Sequence, residues 1–346
     1  AGTVLAVAGC MAASDYRPDP PRSSSYHARF IKPEHPYHVF CNTLRGEFLL
    51  RPGPLVNLIL VGILARARRL LPDVRLYAVT VMSNHFHLQL QGQPHDVSKF
   101  VAYFKRETSR RLGNHYGEPG AYWASRYRCT ALLTPESQEN CLEYILSNSV
   151  KEDLVDACGD WPGVHSVDTL THGRPLTGRW FDGEGFARAK SHGKRPRSKD
   201  YWSEHTLHLD PLPGWETWPE NSRRQHARML ASRITAEHRA RRKKHGITVL
   251  GRKRVQTMPR STRREPPKPK WLEQRGRCLF AWASPRDPRV RRFVAEYREF
   301  QNDFRIASDV LKSGEDAWHL FPPGAFVPSL YKPLDFGIVT SLPSRC

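Results

Sequence analysis

The seven residues from His85 to Gln91 alternate strictly between polar and apolar side chains. Successive side chains of a strand point to opposite faces, so this pattern predicts a β-strand with one buried apolar face and one polar face. A second β-rich segment, Arg75–Met82, precedes it, and Ser83–Asn84 forms the turn between the two. The polar face of the predicted strand carries His85, His87, Gln89 and Gln91.

Helical and extended patterns follow one another along the first half of the chain. Apolar residues recur at helical spacing over 54–71, 97–115 and 135–148, and further strands are predicted over 37–44 and 127–133. The order β-α-β-β-α-β-α predicts an α+β fold, in which a small antiparallel sheet carries helices on one face.

Charge is distributed unevenly between the two halves. The 346 residues carry a net charge of +20, of which +4 lies in residues 1–180 and +16 in residues 181–346. The run 239–264 contains 11 Lys and Arg residues and no acidic residue. An excess of this size implies a polyanionic partner, either nucleic acid or an acidic membrane surface.

Apolar runs and cysteines exclude several classes of protein. The longest apolar run, Leu58–Ala65, has about half the length that spans a bilayer. No basic amphipathic helix with a Trp- and Leu-rich face stands out, which favours nucleic acid over a membrane surface. The 7 cysteines are scattered and contain no Cys-x-x-Cys pair, so reduced thiols in a cytosolic protein are favoured over a disulfide framework or a zinc ribbon.

Composition divides the chain into four predicted regions. Residues 1–35 are rich in Pro, Ser, Asp and Arg and form a mobile N-terminal arm, and residues 36–166 form the α+β domain. Residues 167–218 form a basic linker punctuated by Gly and Pro. Residues 219–346 form a basic, mainly helical extension that binds nucleic acid, with helices at 219–245 and 290–311.

The pair His85 and His87 is a candidate metal site. Alternate residues of a strand lie on one face about 7 Å apart, so both imidazoles can reach one divalent ion. On spacing alone, two ordinary surface histidines are an equally good interpretation, because the chain has 16 His.

Tyr144 and Asn148 lie four positions apart on a predicted helix and therefore share one helical face. The phenol is a candidate nucleophile, and the amide oxygen is a candidate third metal ligand. A packed tyrosine and an asparagine at a helix end are the alternative, and they are favoured when the pair is taken alone.

Taken together and in order, the motifs of the chain resemble those of the single-tyrosine HUH transposases, above all the REP-associated tyrosine transposases. The resemblance covers about residues 36–166. It rests on Val81-Met-Ser-Asn-His-Phe-His-Leu88, Phe104-Lys105, Gly120-Ala-Tyr-Trp-Ala-Ser-Arg-Tyr127, Tyr144-Ile-Leu-Ser-Asn148-Ser-Val and Asp160-Trp-Pro162. It implies a palm-like sheet that carries the two histidines, with the tyrosine helix packed beside it.

By this resemblance, His85 and His87 match the metal ligands, Asn148 matches the third metal-contacting position, and Tyr144 matches the nucleophile. A divalent ion, Mg²⁺ or Mn²⁺, would orient the scissile phosphate, and Tyr144 would attack it to give a 5′-phosphotyrosine and a free 3′-OH. The chain departs from the family at Ser83 and Ser149, where the family has proline.

Basic side chains outside these motifs are candidates for DNA contact, with a solvated charged surface as the alternative. They are Lys105, Arg106, Arg110 and Arg111 on a predicted helix, Arg126 and Arg128 near the next strand, and Arg241, Arg242, Lys243, Lys244, Arg252, Lys253 and Arg254 in the basic run. Counterion release onto phosphates favours such binding. Trp123 and Tyr127 either stack on unpaired bases or pack in the core.

These patterns favour a metal-dependent endonuclease and strand transferase that acts on single-stranded, hairpin or repeat-end DNA. The alternative is a domesticated, catalytically silent transposase that binds DNA or RNA in a structural or regulatory role. We expect hairpin or single-stranded DNA as the partner, a monomer or homodimer, and a cytoplasmic, nucleoid-associated location. A zincin motif, a zinc-deaminase signature and a P-loop are absent from the sequence, so those chemistries fit less well.

Overall fold

Four strands form the central antiparallel sheet of the protein. The structure is a computed structural model that describes residues 28–264 and 286–325. The strands are β1 (Tyr37–Asn42), β2 (Arg75–Val81), β3 (His85–Gln91) and β4 (Arg128–Ala131). Their order is β2-β3-β1-β4, and every neighbouring pair is antiparallel. The predicted α+β fold with a small antiparallel sheet is confirmed.

Two helices cover the apolar face of the sheet. They are α1 (Pro54–Leu70) and α2 (Pro94–Tyr116), and each begins with a proline, whose fixed backbone suits a first helical turn. Phe86 of β3 packs edge-on against Phe104 of α2, with 5.0 Å between ring centroids. Burial of this apolar face is the main favourable contribution to the stability of the domain.

The third helix, α3 (Pro135–Lys151), lies across the opposite face. The side chain of Gln89 on β3 donates a hydrogen bond of 2.9 Å to the carbonyl of Gln138, and the hydroxyl of Thr80 on β2 donates one of 3.1 Å to the carbonyl of Ile145. The sequence predicts helices on one face only, and this detail is wrong for α3. Polar side chains on β2 and β3 need hydrogen-bond partners once buried, and the backbone of α3 supplies them.

The region predicted to be a linker, 167–218, contains regular structure. It has α4 (Val167–His172), β5 (Leu176–Phe181), α5 (Gly183–Ser191) and β6 (Trp202–Leu207), and β5 pairs with β6 in an antiparallel hairpin. The hairpin packs on α1 so closely that a Cβ on Gly178 would lie 2.1 Å from the backbone nitrogen of Gly62. A glycine on the buried face of β5 interrupts the apolar alternation that otherwise marks a strand.

The described part of the extension, residues 219–264 and 286–325, is mainly helical, as predicted. It contains α6 (Glu220–His245), α7 (Arg252–Thr257) and α8 (Pro288–Lys312). The apolar core that α3 shares with α6 and α7 consists of Leu142, Ile145, Leu146, Leu230, Ile234 and Val255. Helix α3 is therefore held between the sheet and the extension.

Parts of two predicted regions lie outside the described residues. They are residues 1–27 of the N-terminal arm, and residues 265–285 and 326–346 of the extension. Among the helices of the described ranges, none has the length and apolar character needed to cross a membrane.

Candidate active site

The register of the sheet places histidines of two strands under α3. His87 of β3 lies opposite Phe40 of β1, and His38 of β1 lies opposite Gln89 of β3. Nδ1 of His87 and Nε2 of His38 are 2.9 Å apart and share a hydrogen bond. The rings of His85 and His87 are 4.9 Å apart between centroids and inclined by 77°. The predicted alternation thus brings both imidazoles of β3 to one place.

His85 lies between two amide oxygens. Its Nδ1 is 2.7 Å from Oδ1 of Asn84, and its Nε2 is 3.3 Å from Oδ1 of Asn148. Burial lowers the pKa of His85 to about 4, so the ring is neutral at pH 7 and has one N–H for two oxygens. The remaining ring nitrogen carries a lone pair, which can accept a hydrogen bond from an amide NH2 group or bind a cation.

His87 has an unused nitrogen in the same place. Its Nε2 is buried and makes no hydrogen bond to the described residues, while Nδ1 is engaged by His38. Burial lowers the pKa of His87 well below its ordinary value, and the charges of neighbouring groups lower it further. Histidines that bind metals commonly have their second ring nitrogen held in this way.

The donor set at this position therefore fits a divalent ion. It consists of two neutral imidazoles, His85 and His87, and the amide oxygen of Asn148. Neutral imidazole and amide oxygen suit Mn²⁺ and other first-row metals, and oxygen ligands suit Mg²⁺. Within residues 28–264 and 286–325, no group of three His, Cys, Asp or Glu side chains is arranged to hold a metal ion, so Asn148 would have to complete the donor set.

Helix α3 places Tyr144 against these histidines. The centroid of its ring lies 5.3 Å from that of His87 and 5.7 Å from that of His38, in edge-on orientations. Asn148, one turn further along the helix, contacts His85. The four residues predicted to carry the chemistry are thus brought together, although their sequence positions lie on a strand and a helix that are far apart.

Tyr144 is held as a neutral phenol. Burial raises its pKa, and the negative charge of Glu152 acts in the same direction. The tyrosine therefore needs a nearby positive charge if it is to react as a phenolate at neutral pH.

Lys151 supplies a positive charge next to Tyr144 and is not among the predicted site residues. Its Nζ lies 4.8 Å from the centre of the Tyr144 ring, within the range of a cation–π contact. The two residues are seven positions apart, which is about two helical turns and places them on the same side of α3. That spacing is the sequence signal by which Lys151 can be found.

His38 is a second residue that the sequence prediction missed. It lies on the strand predicted over 37–44, and its alternation with Val39 places it on one face of β1. Which face that is depends on how β1 pairs with β3. The pairing register becomes visible only in the folded sheet.

The first described stretch of the extension ends at residue 264, beside the site. Arg264 forms an ion pair of 2.6 Å with Glu152, which follows α3. The backbone N–H of Phe48 donates to the carbonyl of Arg260 at 2.9 Å. The side chain of Asn84 donates to the carbonyl of Gly46 at 3.4 Å, so the same loop supports the residue that orients His85.

The basic residues predicted on α2 differ in their surroundings. Glu107, which is 5 % exposed, accepts hydrogen bonds from Arg110 and Arg111 and pairs with Arg106 at 3.5 Å. The Arg111 side chain is only 12 % exposed and also donates to the carbonyl of Phe181, so its role is to hold the hairpin on α2. Arg106 and Arg110 remain exposed and stay predicted DNA contacts.

Lys105 and Trp123 pack against each other. Lys105 donates a hydrogen bond of 2.8 Å to the carbonyl of Ser125, and the indole N–H of Trp123 donates one of 3.0 Å to the carbonyl of Lys105. The Trp123 ring contacts Phe86 edge-on, and Tyr127 is 7 % exposed. Of the two uses left open for these aromatic residues, core packing fits this structure.

Arg126 and Arg128 are exposed at the edge of the sheet that β4 forms. The guanidinium carbon of Arg128 lies 5.4 Å from the ring centre of Phe40, and that ring lies 5.8 Å from the ring of His87. Arg128 is therefore the predicted DNA contact that the structure brings nearest to the histidines among those on β4 and the preceding loop.

The basic run is partly neutralised by acidic residues beside α3. Arg241 pairs with Asp153, and Arg242 pairs with Asp156 at 2.8 Å. Arg242 is 5 % exposed, so it cannot contact a solvent-borne nucleic acid and instead fixes α6 to the end of α3. The remaining predicted contacts of this run, which are exposed and form no ion pair among the described residues, are Lys243, Lys244, Arg252, Lys253 and Arg254.

Comparisons with known proteins give two kinds of similarity. No curated protein sequence matches the chain significantly. A solved structure of a REP-associated tyrosine transposase bound to a REP hairpin is 19 % identical, covering 50 % of this chain and 89 % of that one with a TM-score of 0.35. A candidate transposase from Deinococcus radiodurans R1 is 20 % identical, covering 36 % of this chain and 95 % of that one with a TM-score of 0.25.

The family comparison covers the part of the chain that carries the candidate site. Residues 70–148 match the family model of IS200-like transposases. This range includes β2, β3, α2 and β4 and ends at Asn148, so it contains both histidines of β3 and the tyrosine of α3. The resemblance seen in the motifs is confirmed, since residues 70–148 match the model of the IS200-like transposases.

Proposed function

We propose that the protein is a metal-dependent endonuclease and strand transferase that acts on single-stranded or hairpin DNA through a tyrosine–DNA intermediate. The observation that carries the proposal is that His85 and His87 of β3 lie next to Tyr144 and Asn148 of α3. The IS200-like segment supports a DNA-processing activity and contains all four residues.

The residues that would hold a divalent ion are His85, His87 and Asn148, through Nε2, Nε2 and Oδ1. Such an ion, Mg²⁺ or Mn²⁺, withdraws electron density from a phosphate oxygen to which it is bound and so makes the phosphorus more electrophilic. His38 keeps His87 in a single orientation through their shared hydrogen bond. Asn84 does the same for His85.

Tyr144 is the nucleophile in this proposal. Its Oη forms a bond to phosphorus as the bond between phosphorus and the 3′ oxygen breaks. The phenol loses its proton and the leaving oxygen gains one, which gives a 5′-phosphotyrosine and a free 3′-OH. The phosphoryl group stays activated on the enzyme, so the reverse attack by a 3′-OH can join strands without an external energy source.

Lys151 favours the loss of the phenol proton. Its ammonium is close to the Tyr144 ring and stabilises the phenolate more than the phenol, because only the phenolate carries a charge. Lys151 is exposed and Tyr144 is half-buried, so solvent screens part of this electrostatic effect.

The test is the formation of a covalent protein–DNA adduct. Labelled hairpin oligonucleotides with single-stranded flanks are incubated with the protein and Mn²⁺ and separated on denaturing gels. The wild-type protein is expected to give a shifted band that Tyr144→Phe abolishes while DNA binding is retained. Tyr103→Phe is the matched control, because Tyr103 stacks on Trp180 on the other side of the sheet.

Two results would count against the proposal. Adducts that persist in Tyr144→Phe would show that another residue is the nucleophile. A wild-type protein that binds hairpin DNA but never forms an adduct, with either Mg²⁺ or Mn²⁺, would favour a catalytically silent binding protein.

A further inference from the structure

We propose that α5 and the loop after it form a second DNA-binding surface, which contacts the sugar-phosphate backbone of DNA outside the segment held at Tyr144. The proposal rests on the proposed function only for the choice of DNA as the polyanion. It concerns residues 185–199, which lie outside both the IS200-like segment and the basic residues predicted to contact DNA.

The first observation is the charge of this surface. Residues 185–199 contain six Lys and Arg residues and no acidic residue. All six side chains are exposed: Arg188, Lys190, Lys194, Arg195, Arg197 and Lys199. Among the described residues, the six basic side chains form one ion pair, between Arg197 and Asp200. Glu184, one turn before Arg188, forms no ion pair with any of the six.

The second observation is the contrast with α6, the other basic segment. There, arginines are neutralised by acidic partners, as in the pairs of Arg233 with Glu143 at 2.6 Å and of Arg242 with Asp156 at 2.8 Å. Those charges serve to dock one helix on another. Within the described ranges, the charges of α5 have no such partner surface, so counterions or a bound polyanion would relieve their mutual repulsion.

The third observation is that the hairpin beneath the surface is packed firmly on the domain. Trp180 of β5 is 7 % exposed and lies under the guanidinium of Arg111, whose carbon is 3.3 Å from the ring centre. Gly62 and Gly178 bring the hairpin into backbone contact with α1. A surface that is already ordered loses little conformational entropy on binding, in contrast to a mobile basic tail.

Aromatic side chains fix α5 on this platform. Phe186 of α5 contacts Phe181 at 5.5 Å and Tyr201 at 5.3 Å between ring centroids. The helix has no buried residue, so these ring contacts attach one side of it and leave its basic side chains in solvent. Lys190 is also exposed, but unlike the other basic side chains of this described stretch it contacts an aromatic ring, since its Nζ lies 4.9 Å from the Phe186 ring centre.

The position of the surface separates it from the chemistry. The hairpin packs on α1, which covers the face of the sheet opposite α3 and Tyr144. DNA bound at α5 is therefore flanking DNA, and its contacts contribute equally before and during cleavage. Loss of these contacts should weaken binding without changing the rate at saturating DNA.

The experiment compares two quadruple variants of the full chain. One, R188Q/K190Q/K194Q/R195Q, removes four charges, and the other, R188K/K190R/K194R/R195K, keeps them. Affinity for hairpin DNA with duplex flanks, for hairpin DNA with single-stranded flanks and for anionic vesicles of phosphatidylserine is measured over a range of salt concentrations. The covalent adduct rate is measured at saturating DNA.

The neutral variant is expected to lose DNA affinity and salt dependence together. Each lost phosphate contact lowers the slope of log K against log salt by about 0.9 for duplex DNA, which is nearly tenfold in affinity at about 0.1 M salt. We expect at least about 30-fold weaker binding to DNA with either flank, an unchanged adduct rate at saturation, and wild-type behaviour of the charge-retaining variant.

Three results would overturn the inference. The first is that the charge-removing variant keeps its DNA affinity and salt slope within about threefold of wild type. The second is that the charge-retaining variant loses as much DNA affinity as the charge-removing one. The third is that the charge-removing variant binds vesicles more weakly but binds DNA like wild type. Because affinity and salt slope need no cleavage, the inference can hold even if Tyr144 forms no adduct, and the two proposals fail separately.

Discussion

His38 and His87 share a hydrogen bond of 2.9 Å, although they lie on different strands and 49 positions apart in the sequence. The contact holds the His87 ring through Nδ1 and leaves its buried Nε2 without a hydrogen bond to the described residues. We therefore expect His38 to orient His87 for metal binding without being a ligand itself.

Replacement of His38 is expected to weaken metal binding. In His38→Leu the His87 ring loses its only described hydrogen bond, and the loss of such a supporting contact typically costs about 10–100-fold in metal affinity. Titration with Mn²⁺ followed by electron paramagnetic resonance measures this directly. His205→Leu, on the exposed hairpin, is the control and should bind Mn²⁺ like wild type. Equal affinities in the two variants would contradict the role given to His38.

Replacement of Lys151 is expected to slow the covalent step without impairing DNA binding. Lys151→Met removes the cation beside Tyr144, and we expect an adduct rate lower by about two- to fivefold, since Lys151 is exposed and solvent screens its charge. Lys151→Arg retains the charge and should recover most of the rate. Single-turnover rates at saturating DNA provide the measurement, and a pure loss of affinity would argue for a DNA-backbone contact instead.

Glu107 is expected to be important for stability. It is 5 % exposed and pairs with three arginines, so Glu107→Gln should lower the free energy of unfolding by about 2–3 kcal/mol in urea denaturation at pH 7. Glu143→Gln is the control, because its partner Arg233 is exposed and such pairs contribute less than about 1 kcal/mol. Equal effects of the two variants would contradict this assignment.

The stability contributed by Glu107 should also depend on pH. Burial alone raises the pKa of this carboxyl, but the hydrogen bond and charge of Arg110, with Arg111 and Arg106, outweigh it and hold the pKa below the ordinary value of 4.5. The unfolded chain therefore takes up the proton first as pH falls. The contribution is complete above the ordinary pKa and is lost as pH falls from there through the lowered value, so wild type and Glu107→Gln should converge at acid pH.

Gly178 is expected to tolerate no side chain. A Cβ at this position would meet the backbone nitrogen of Gly62 at 2.1 Å, so Gly178→Ala forces the hairpin away from α1. We expect a destabilisation of about 3 kcal/mol and faster limited proteolysis in residues 182–199. Gly183→Ala is the control, because the nearest atoms to its added Cβ are 3.8 Å away. Similar proteolysis of both variants would show that the hairpin is not held by this contact.

Local patterns predicted the elements that carry the site, and long-range pairing determined the rest. The alternation of His85–Gln91 and the four-residue spacing of Tyr144 and Asn148 are properties of single elements, so they were visible in the sequence. The position of His38 depends on strand register, which no single segment encodes. The position of α3 on the polar face of the sheet likewise depends on which buried polar side chains of β2 and β3 need hydrogen-bond partners.

The sequence was least able to predict which basic residues are available to contact DNA. The sequence shows that Arg242 belongs to a basic run, but not that Asp156 lies beside it in the fold. Arg111 likewise has an aromatic ring and a carbonyl of the hairpin as partners, and both come from a region without clear strand periodicity. Total charge indicated a polyanionic partner, whereas the residues free to meet it could be separated from the packing residues only in three dimensions.

The packing of α3 on α6 and α7 has a consequence for how the protein is made. Leu142 and Ile145, on the helix of Tyr144, share their core with Leu230, Ile234 and Val255. During synthesis these partners emerge from the ribosome long after the helix itself, and until then its apolar side stays exposed. A nascent or truncated chain that ends near residue 166 therefore carries Tyr144, the proposed nucleophile, on an incompletely packed helix. Biosynthesis of the extension sets the moment at which the site becomes rigid.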